Sequence, residues 1–266
     1  TLLRGVKREF LEVDVAYQKR DFAPYFTLTA LLVYWVKFFV DLSGDDKVAG
    51  SLDDALEAVA PFADDCRLQT TDWRRLVTYQ FVHVDAGHLV ANSVILLVLG
   101  SPLEMAHGPV VGLAFEAGVV LGAVASLVFA PFQRVVGFSA GVYCVLGAHF
   151  GHLLLHWADM RRGALNRWAR LLIFAAFFGV DVVYSYAEQV SAPIDLAGFV
   201  VGVVLSAAVL RDLVERPRSM LRGAARFLLV ALPVLLVLRY AFYIIQSDPP
   251  EPLTWLSGGD VTDCCY

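Results

Sequence analysis

Long apolar runs recur along the chain, and they constrain its fold more than any other feature. Runs such as 111–130 and 227–247 are each about as long as a helix needs to cross a bilayer, roughly 20 residues. Apolar residues make up 58% of the chain and charged residues 18%, whereas a soluble domain is about 45–50% apolar and about 25% charged. This composition excludes a soluble enzyme, a disordered chain and a collagen-like chain, and it predicts an all-α, polytopic membrane helix bundle.

Hydropathy predicts seven membrane helices. Their approximate bounds are 24–42, 87–104, 109–130, 139–157, 168–187, 194–210 and 226–246. The chain then divides into an N-terminal segment, 1–23, a transmembrane domain, 24–246, and a tail, 247–266, with a long loop, 43–86, inside the domain. Polar residues in the first, fourth and fifth helices predict that these three pack against protein rather than lipid.

Lysine and arginine are distributed unevenly between the two sides of the predicted membrane. Twelve lie in segments on the N-terminal side and five on the opposite side. The positive-inside rule therefore predicts a cytosolic segment 1–23, with the 43–86 loop and the 247–266 tail in the lumen or outside the cell. We expect a multi-pass protein of the secretory pathway or plasma membrane. The net charge of −5, without a basic patch interleaved with aromatic residues, argues against nucleic acid as a partner.

Several ionisable side chains lie inside apolar runs, where their burial is costly and each is a candidate functional group. Glu116 and Asp181 are either functional or members of interhelical hydrogen bonds. His149, His152 and His156 share one helical face, an arrangement that a metal can use. Because the helix ends near His156, we expect the last two histidines to reach the interface, and we predict no metal site and no cofactor.

A GxSxG pattern at Gly137–Gly141 opens the predicted fourth helix. In soluble hydrolases such glycines permit a sharp turn that exposes the serine. Amides at a helix N-terminus can hold an oxyanion while the serine attacks a carbonyl. Ser139 is therefore a candidate nucleophile. The alternative is that these small residues only allow close helix packing.

His88 and Asn92 lie four residues apart near the start of the predicted second helix. They therefore share one helical face. Both side chains can donate a hydrogen bond to a developing oxyanion. The alternative is a polar pair that serves only helix packing.

Taken together, these motifs resemble the rhomboid family of intramembrane serine proteases. The spacing HxxxxHxxxN at His83, His88 and Asn92, followed by GxSxG, is typical of that family. Further matches, in chain order, are Trp73-Arg74, Pro102-Leu103-Glu104, His107-Gly108, Gly141-Val142-Tyr143, and Gly198 with Gly202. The resemblance covers essentially residues 20–245 and implies the secretase-type arrangement found in animals, with six core helices plus a C-terminal seventh.

The resemblance also implies roles for these residues. Ser139 would be the nucleophile, in a water-accessible cavity, and His88 and Asn92 would form the oxyanion site. The supporting residues would be Gly137, Gly141, Tyr143, Gly198, Gly202, Trp73 and Arg74. We expect Gly198 and Gly202 to pack helix six against Gly141 of helix four. We also expect Arg74 to anchor the 43–86 loop and Trp73 to lie at the membrane interface.

The resemblance breaks at the catalytic base. Rhomboids pair the serine with a histidine on helix six, and the equivalent position here is Asp195, three residues before Gly198. Aspartate has a reference pKa of about 3.9 against about 6.5 for histidine, so it accepts a proton poorly near neutral pH. We expect Asp195 to face Ser139, with a raised pKa or a hydrogen bond from Ser139 or Tyr143.

Three functions remain open. The first is an intramembrane serine endopeptidase that cuts single-pass transmembrane proteins near the luminal membrane face, with activity weakened by Asp195. The second is a catalytically inactive rhomboid-like protein that binds or escorts membrane clients. The third, a channel or transporter, is not favoured by the motifs. Each of them has the lipid bilayer as a partner.

Overall fold

The computed structural model describes residues 22–43, 62–63, 67–68, 74–83, 85–129, 135–157, 160, 166–188, 192–210 and 219–246. Within these residues, seven long helices lie where hydropathy predicts seven. They are α1 (Tyr25–Ser43), α2 (Ala86–His107), α3 (Val110–Phe129), α4 (Ser139–Leu155), α5 (Arg167–Glu188), α6 (Ala192–Ala208) and α7 (Ser219–Gln246). The predicted all-α bundle is confirmed.

The 43–86 loop contains short elements of its own. Phe62–Ala63 (β1) pairs antiparallel with Arg67–Leu68 (β2). A helical turn, Arg75–Thr78, continues into a 3₁₀ turn, Tyr79–Phe81. A connection of this length usually has secondary structure of its own, as these elements show.

α4 is buried in the bundle and packs against both α3 and α6, which also contact each other directly. All of its residues from Ser139 to His149 are buried, so the prediction that the fourth helix packs against protein is confirmed. α1 and α5 bury one face only, since Leu32 and Leu172 are 64% and 71% exposed. The prediction that these two helices pack against protein therefore holds for only one face of each.

α4 and α6 cross at backbone contact distance. A Cβ atom at Gly198 or Gly202 would overlap the carbonyl oxygen of Ala140 or Cys144. Small residues allow this approach, which strengthens packing where lipid offers no hydrophobic driving force. The expectation that Gly141 joins the crossing is wrong.

Gly141 instead faces the ring of Phe115 on α3. On the α4 side the crossing continues through Gly147, which lies against the carbonyl of Phe199, and Gly151, which lies against Val203. Position 141 is one residue past Ala140, so it is rotated about 100° away from α6 on a helix of 3.6 residues per turn.

α1 is joined to α2 by hydrogen bonds to a buried carboxylate. Glu104 accepts from the amides of Phe26 and Thr27 at 2.7 and 2.9 Å, and from the Thr27 hydroxyl at 2.9 Å. The first amides of a helix have no partner within the helix, and its positive dipole end favours an anion. Glu104 thus caps α1 from another helix.

α2 is not a uniform α-helix. Its α-helical parts, Ala86–Ile95 and Ser101–His107, are separated by a π-helical turn, Leu96–Gly100. Pro102 follows this turn, and proline inside a helix lacks an amide donor and crowds the carbonyl four residues before it. The wider turn accommodates the proline without ending the helix.

Two of the described helices, Ala86–His107 and Met220–Arg239, are long and apolar enough to cross a membrane alone. Three shorter apolar helices are Val110–Ser126, Ser139–Leu155 and Ile194–Ala208. α7 begins at Ser219, about two turns before the predicted start near 226.

Candidate functional site

Ser139 is the first residue of α4, as predicted, and it is buried. The chain enters α4 through Gly137, whose φ is +90°. Residues with a side chain rarely adopt this backbone conformation. The sharp turn therefore requires the first glycine of the GxSxG pattern.

His88 and Asn92 converge on that same glycine. A Cβ atom at position 137 would lie 2.7 Å from His88 Cε1, 3.0 Å from His88 Nε2 and 3.6 Å from Asn92 Nδ2. Both side chains are buried. Asp85 caps this end of α2, because its Oδ1 accepts from the His88 amide at 2.8 Å. Both side chains thus lie close to the glycine two residues before Ser139, and each has a nitrogen on that side.

The inner part of the 43–86 loop lies against the same backbone. The Gly137 amide donates to the Tyr79 carbonyl at 3.1 Å, and the Tyr79 hydroxyl donates to the Val119 carbonyl of α3 at 2.8 Å. Tyr79 therefore connects the turn before Ser139 to α3.

A second set of bonds fixes this loop segment across the bundle. The Tyr34 hydroxyl of α1 donates to Gln80 Oε1 at 2.6 Å, and Gln80 Nε2 donates to Glu116 Oε2 of α3 at 3.2 Å. Glu116 thus belongs to an interhelical hydrogen-bond network, one of the two roles considered for it. The side chain of Asp181 lies outside the described residues.

Aromatic rings surround the turn before Ser139. The Phe138 ring stacks on Tyr34 with centroids 4.1 Å apart, and His83 contacts Phe138 edge-on at 5.1 Å. Burial, then the neighbouring His88, lower the pKa of His83 to about 3. His83 is therefore neutral at physiological pH and acts here as a packing ring.

Asp195 lies in the first turn of α6 and is buried, 5% exposed. It precedes Gly198 by three residues, so it lies on the same helical face. Gly198 contacts the residue that follows Ser139. Burial, then the negative charge of Asp195, raise the pKa of the Tyr79 hydroxyl. Asp195 is thus placed at the end of the bundle that holds Ser139.

These features form one arrangement: a serine at a helix N-terminus, the His88 and Asn92 side chains close to the glycine two residues before it, and a carboxylate on the adjoining helix. A family model described as the rhomboid domain matches residues 70–212, more than half of the chain. The chain belongs to the rhomboid family. It is accordingly a member of an integral membrane protein family.

Curated rhomboids resemble this chain over about half to seven tenths of its length. Rhomboid-related protein 3 of Homo sapiens is 37% identical over 160 residues, 56% of this chain and 39% of that protein. Rhomboid-related protein 1 of Caenorhabditis elegans is 30% identical over 203 residues, 71% of this chain and 53% of that protein. Inactive rhomboid-related protein 2 of the same organism is 28% identical over 145 residues, 52% of this chain. Less than two thirds of each of the first two relatives is matched.

Tyr143, placed beside the base by the family resemblance, packs edge-on against Phe178 of α5 with centroids 5.8 Å apart. Its ring thus contributes to the contact between α4 and α5. Arg74 has an exposed side chain, and its anchoring role stays a prediction. Trp73 lies outside the described residues.

The histidines at the far end of α4 are buried within the bundle, and the expectation that two of them reach the membrane interface stays a prediction. His152 and His156 are buried, and His152 contacts both His156 and His107 of α2, with centroids 4.4 and 5.4 Å apart. Sequence spacing could not reveal this, because His107 lies on another helix. Within the described residues, no group of three or more histidine, cysteine or acidic residues could hold a metal ion.

Sequence analysis missed the Gln80 network and the His149 bond. His149 Nε2 lies 2.8 Å from the Leu99 carbonyl in the π-helical turn of α2. Gln80 carries no local signal, since it precedes the HxxxxHxxxN motif in an otherwise apolar stretch. Pro102 within an apolar helix was the one available sign of irregular backbone near Leu99.

Proposed function

We propose that this rhomboid scaffold is a serine endopeptidase that acts inside the membrane, with activity limited by Asp195. The observation that carries the proposal is the convergence of His88 and Asn92 on Gly137, two residues before Ser139. Donors already in place around a developing oxyanion are commonly the largest contribution to acyl-transfer catalysis. A pair that only packed the helix would not need to meet at this backbone.

The proposed reaction begins with attack of the Ser139 hydroxyl on a peptide carbonyl. The carbonyl oxygen becomes an oxyanion between the His88 and Asn92 side chains, and the serine proton must move to a base. We assign that role to Asp195, which is buried in the first turn of α6. A carboxylate is a weak base near pH 7 and has a shorter reach than imidazole, so we expect slow acylation.

The substrates we propose are single-pass transmembrane proteins, cut near the luminal or extracellular membrane face. Ser139 lies at the same end of the bundle as the 43–86 loop, which the lysine and arginine distribution assigns to that side. The burial of Ser139 favours a substrate that enters the bundle from the membrane over a soluble protein.

The proposal is tested by replacing the base. The full chain, Asp195→His and Asp195→His with Ser139→Ala are purified in detergent. Each is incubated with a fluorophosphonate probe and with a model single-pass substrate. We expect slow or undetectable cleavage by the unaltered chain and a gain of about 10³-fold in Asp195→His, because one member of a catalytic unit usually accounts for several orders of magnitude. The serine variant should be inactive.

The alternative is a catalytically inactive protein that binds or escorts membrane clients. Asp195 favours it, and one relative bears the name inactive rhomboid-related protein. The same experiment separates the two functions. Intact model substrate retained on both the unaltered chain and Asp195→His, without cleavage by either, would support the alternative and overturn the protease proposal.

A further inference from the structure

His149 forms a hydrogen bond at the one turn of α2 that departs from α-helical geometry. Its Nε2 lies 2.8 Å from the Leu99 carbonyl oxygen, and Leu99 belongs to the π-helical turn Leu96–Gly100. A carbonyl only accepts, so Nε2 carries the proton and donates. A π-turn displaces its carbonyls from their α-helical partners, and a side chain from a neighbouring helix can stabilise the displaced group.

The π-turn determines how the two parts of α2 are rotated relative to each other. One residue added to or removed from a turn rotates the rest of the helix by about 100°. On one side of the turn, Glu104 is fixed by its bonds to the first amides of α1. On the other side lie His88 and Asn92. With Glu104 fixed, loss of the π-turn would rotate the two donors away from Gly137.

We infer that His149 is a positioning residue for the oxyanion donors: its bond to Leu99 holds the π-turn that directs His88 and Asn92 at Gly137. His149 is buried in α4, the helix that begins with Ser139. The same rigid helix therefore carries the nucleophile and the group that orients the donors on α2. The catalytic part of this inference rests on the proposed function, whereas the conformational part does not.

The experiment compares three variants in the Asp195→His background. His149→Leu removes the donor at similar size, and His149→Gln keeps an N–H donor. His152→Leu is the matched control, because it removes another buried imidazole of α4 that contacts His107 instead of α2's π-turn. The measurements are kcat and KM for the model substrate, the rate of Ser139 labelling by fluorophosphonate, and amide hydrogen exchange across Leu99–Glu104.

We expect His149→Leu to lower kcat and the labelling rate about tenfold, since displaced donors should lose part of the 10²–10³-fold effect of a full deletion. KM should stay the same, and amides of Leu99–Glu104 should exchange faster as the turn loosens. His149→Gln should restore all three measurements, and His152→Leu should leave them unchanged.

Unchanged kcat and labelling in His149→Leu would overturn the inference, even if exchange increased. An equal loss in His152→Leu would also overturn it, because it would indicate general loosening of α4. If the Asp195→His chain neither cleaves nor labels, the proposed function fails on its own. Hydrogen exchange then decides the conformational claim. If the amides of Leu99–Glu104 exchange at the same rate in His149→Leu as in the chain with His149, that claim is overturned.

Discussion

The two walls of the candidate site are held in different ways. The wall formed by α4 and α6, which carries Ser139 and Asp195, depends on direct backbone contact through Gly198 and Gly202. The wall formed by α2, which carries His88 and Asn92, depends on polar bonds to its neighbours, above all those that its own Glu104 accepts from α1. Lipid gives helices no hydrophobic reason to associate, so close packing and buried hydrogen bonds are the two available solutions.

The difference explains why the α4–α6 wall does not depend on the residue at position 195. Contacts at Gly198 and Gly202 involve backbone atoms of α4 and do not depend on the residue at position 195. A substitution at position 195 should therefore leave the crossing and the position of Ser139 in place. The wall formed by α2, here called the polar wall, has no such independence. Its position depends on individual hydrogen bonds, and each of them needs its own donor and acceptor.

Gly198→Val should produce the largest loss of stability. The added side chain would meet the Ala140 carbonyl, so α6 must move away from α4. We expect a loss of about 4 kcal/mol or more, in the range that is exceptional for a single substitution. Unfolding is followed in detergent by circular dichroism. Fluorophosphonate labelling of Ser139, in the Asp195→His background, should fall with it.

Gly223→Val is the matched control, since nothing lies within 4 Å of a Cβ atom at that helical position. Its stability should stay within about 0.5 kcal/mol of the unaltered chain, because valine has at least the helix propensity of glycine. Equal effects of the two substitutions would show that the crossing does not dominate this wall.

The sequence predicted the polar wall less completely than the packed one. Apolar runs of sufficient length gave all seven helices, and Gly198 with Gly202 gave the crossing. The partner glycines on α4 were misassigned, because helical phase relative to a neighbour depends on three-dimensional packing. The bonds of Glu104, Gln80 and His149 join positions at least 36 residues apart. No local spacing encodes contacts of that kind.

Asn92→Ala in the Asp195→His background tests the polar wall at the site itself. Its Nδ2 would lie 3.6 Å from a Cβ atom added at Gly137. We expect kcat to fall about 100-fold, the usual effect of removing one oxyanion donor, with little change in KM. Thermal unfolding should change far less than in Gly198→Val. A rise in KM with kcat unchanged would instead assign Asn92 to substrate contact or packing.

Glu104→Gln tests the polar wall at its far end, and we expect the smallest effect. The carboxylate accepts from two amides and one hydroxyl of α1, whereas a carboxamide of the same shape presents one acceptor and one donor group. At least one α1 donor would then face an NH₂ group, and the favourable charge at the helix N-terminus would be lost. We expect a loss of about 2 kcal/mol in the free energy of unfolding. Thr27→Val, which removes only the hydroxyl donor, should lower it by about half as much. If Glu104→Gln is neutral while Gly198→Val is not, packing alone holds both walls, and the contrast between them fails.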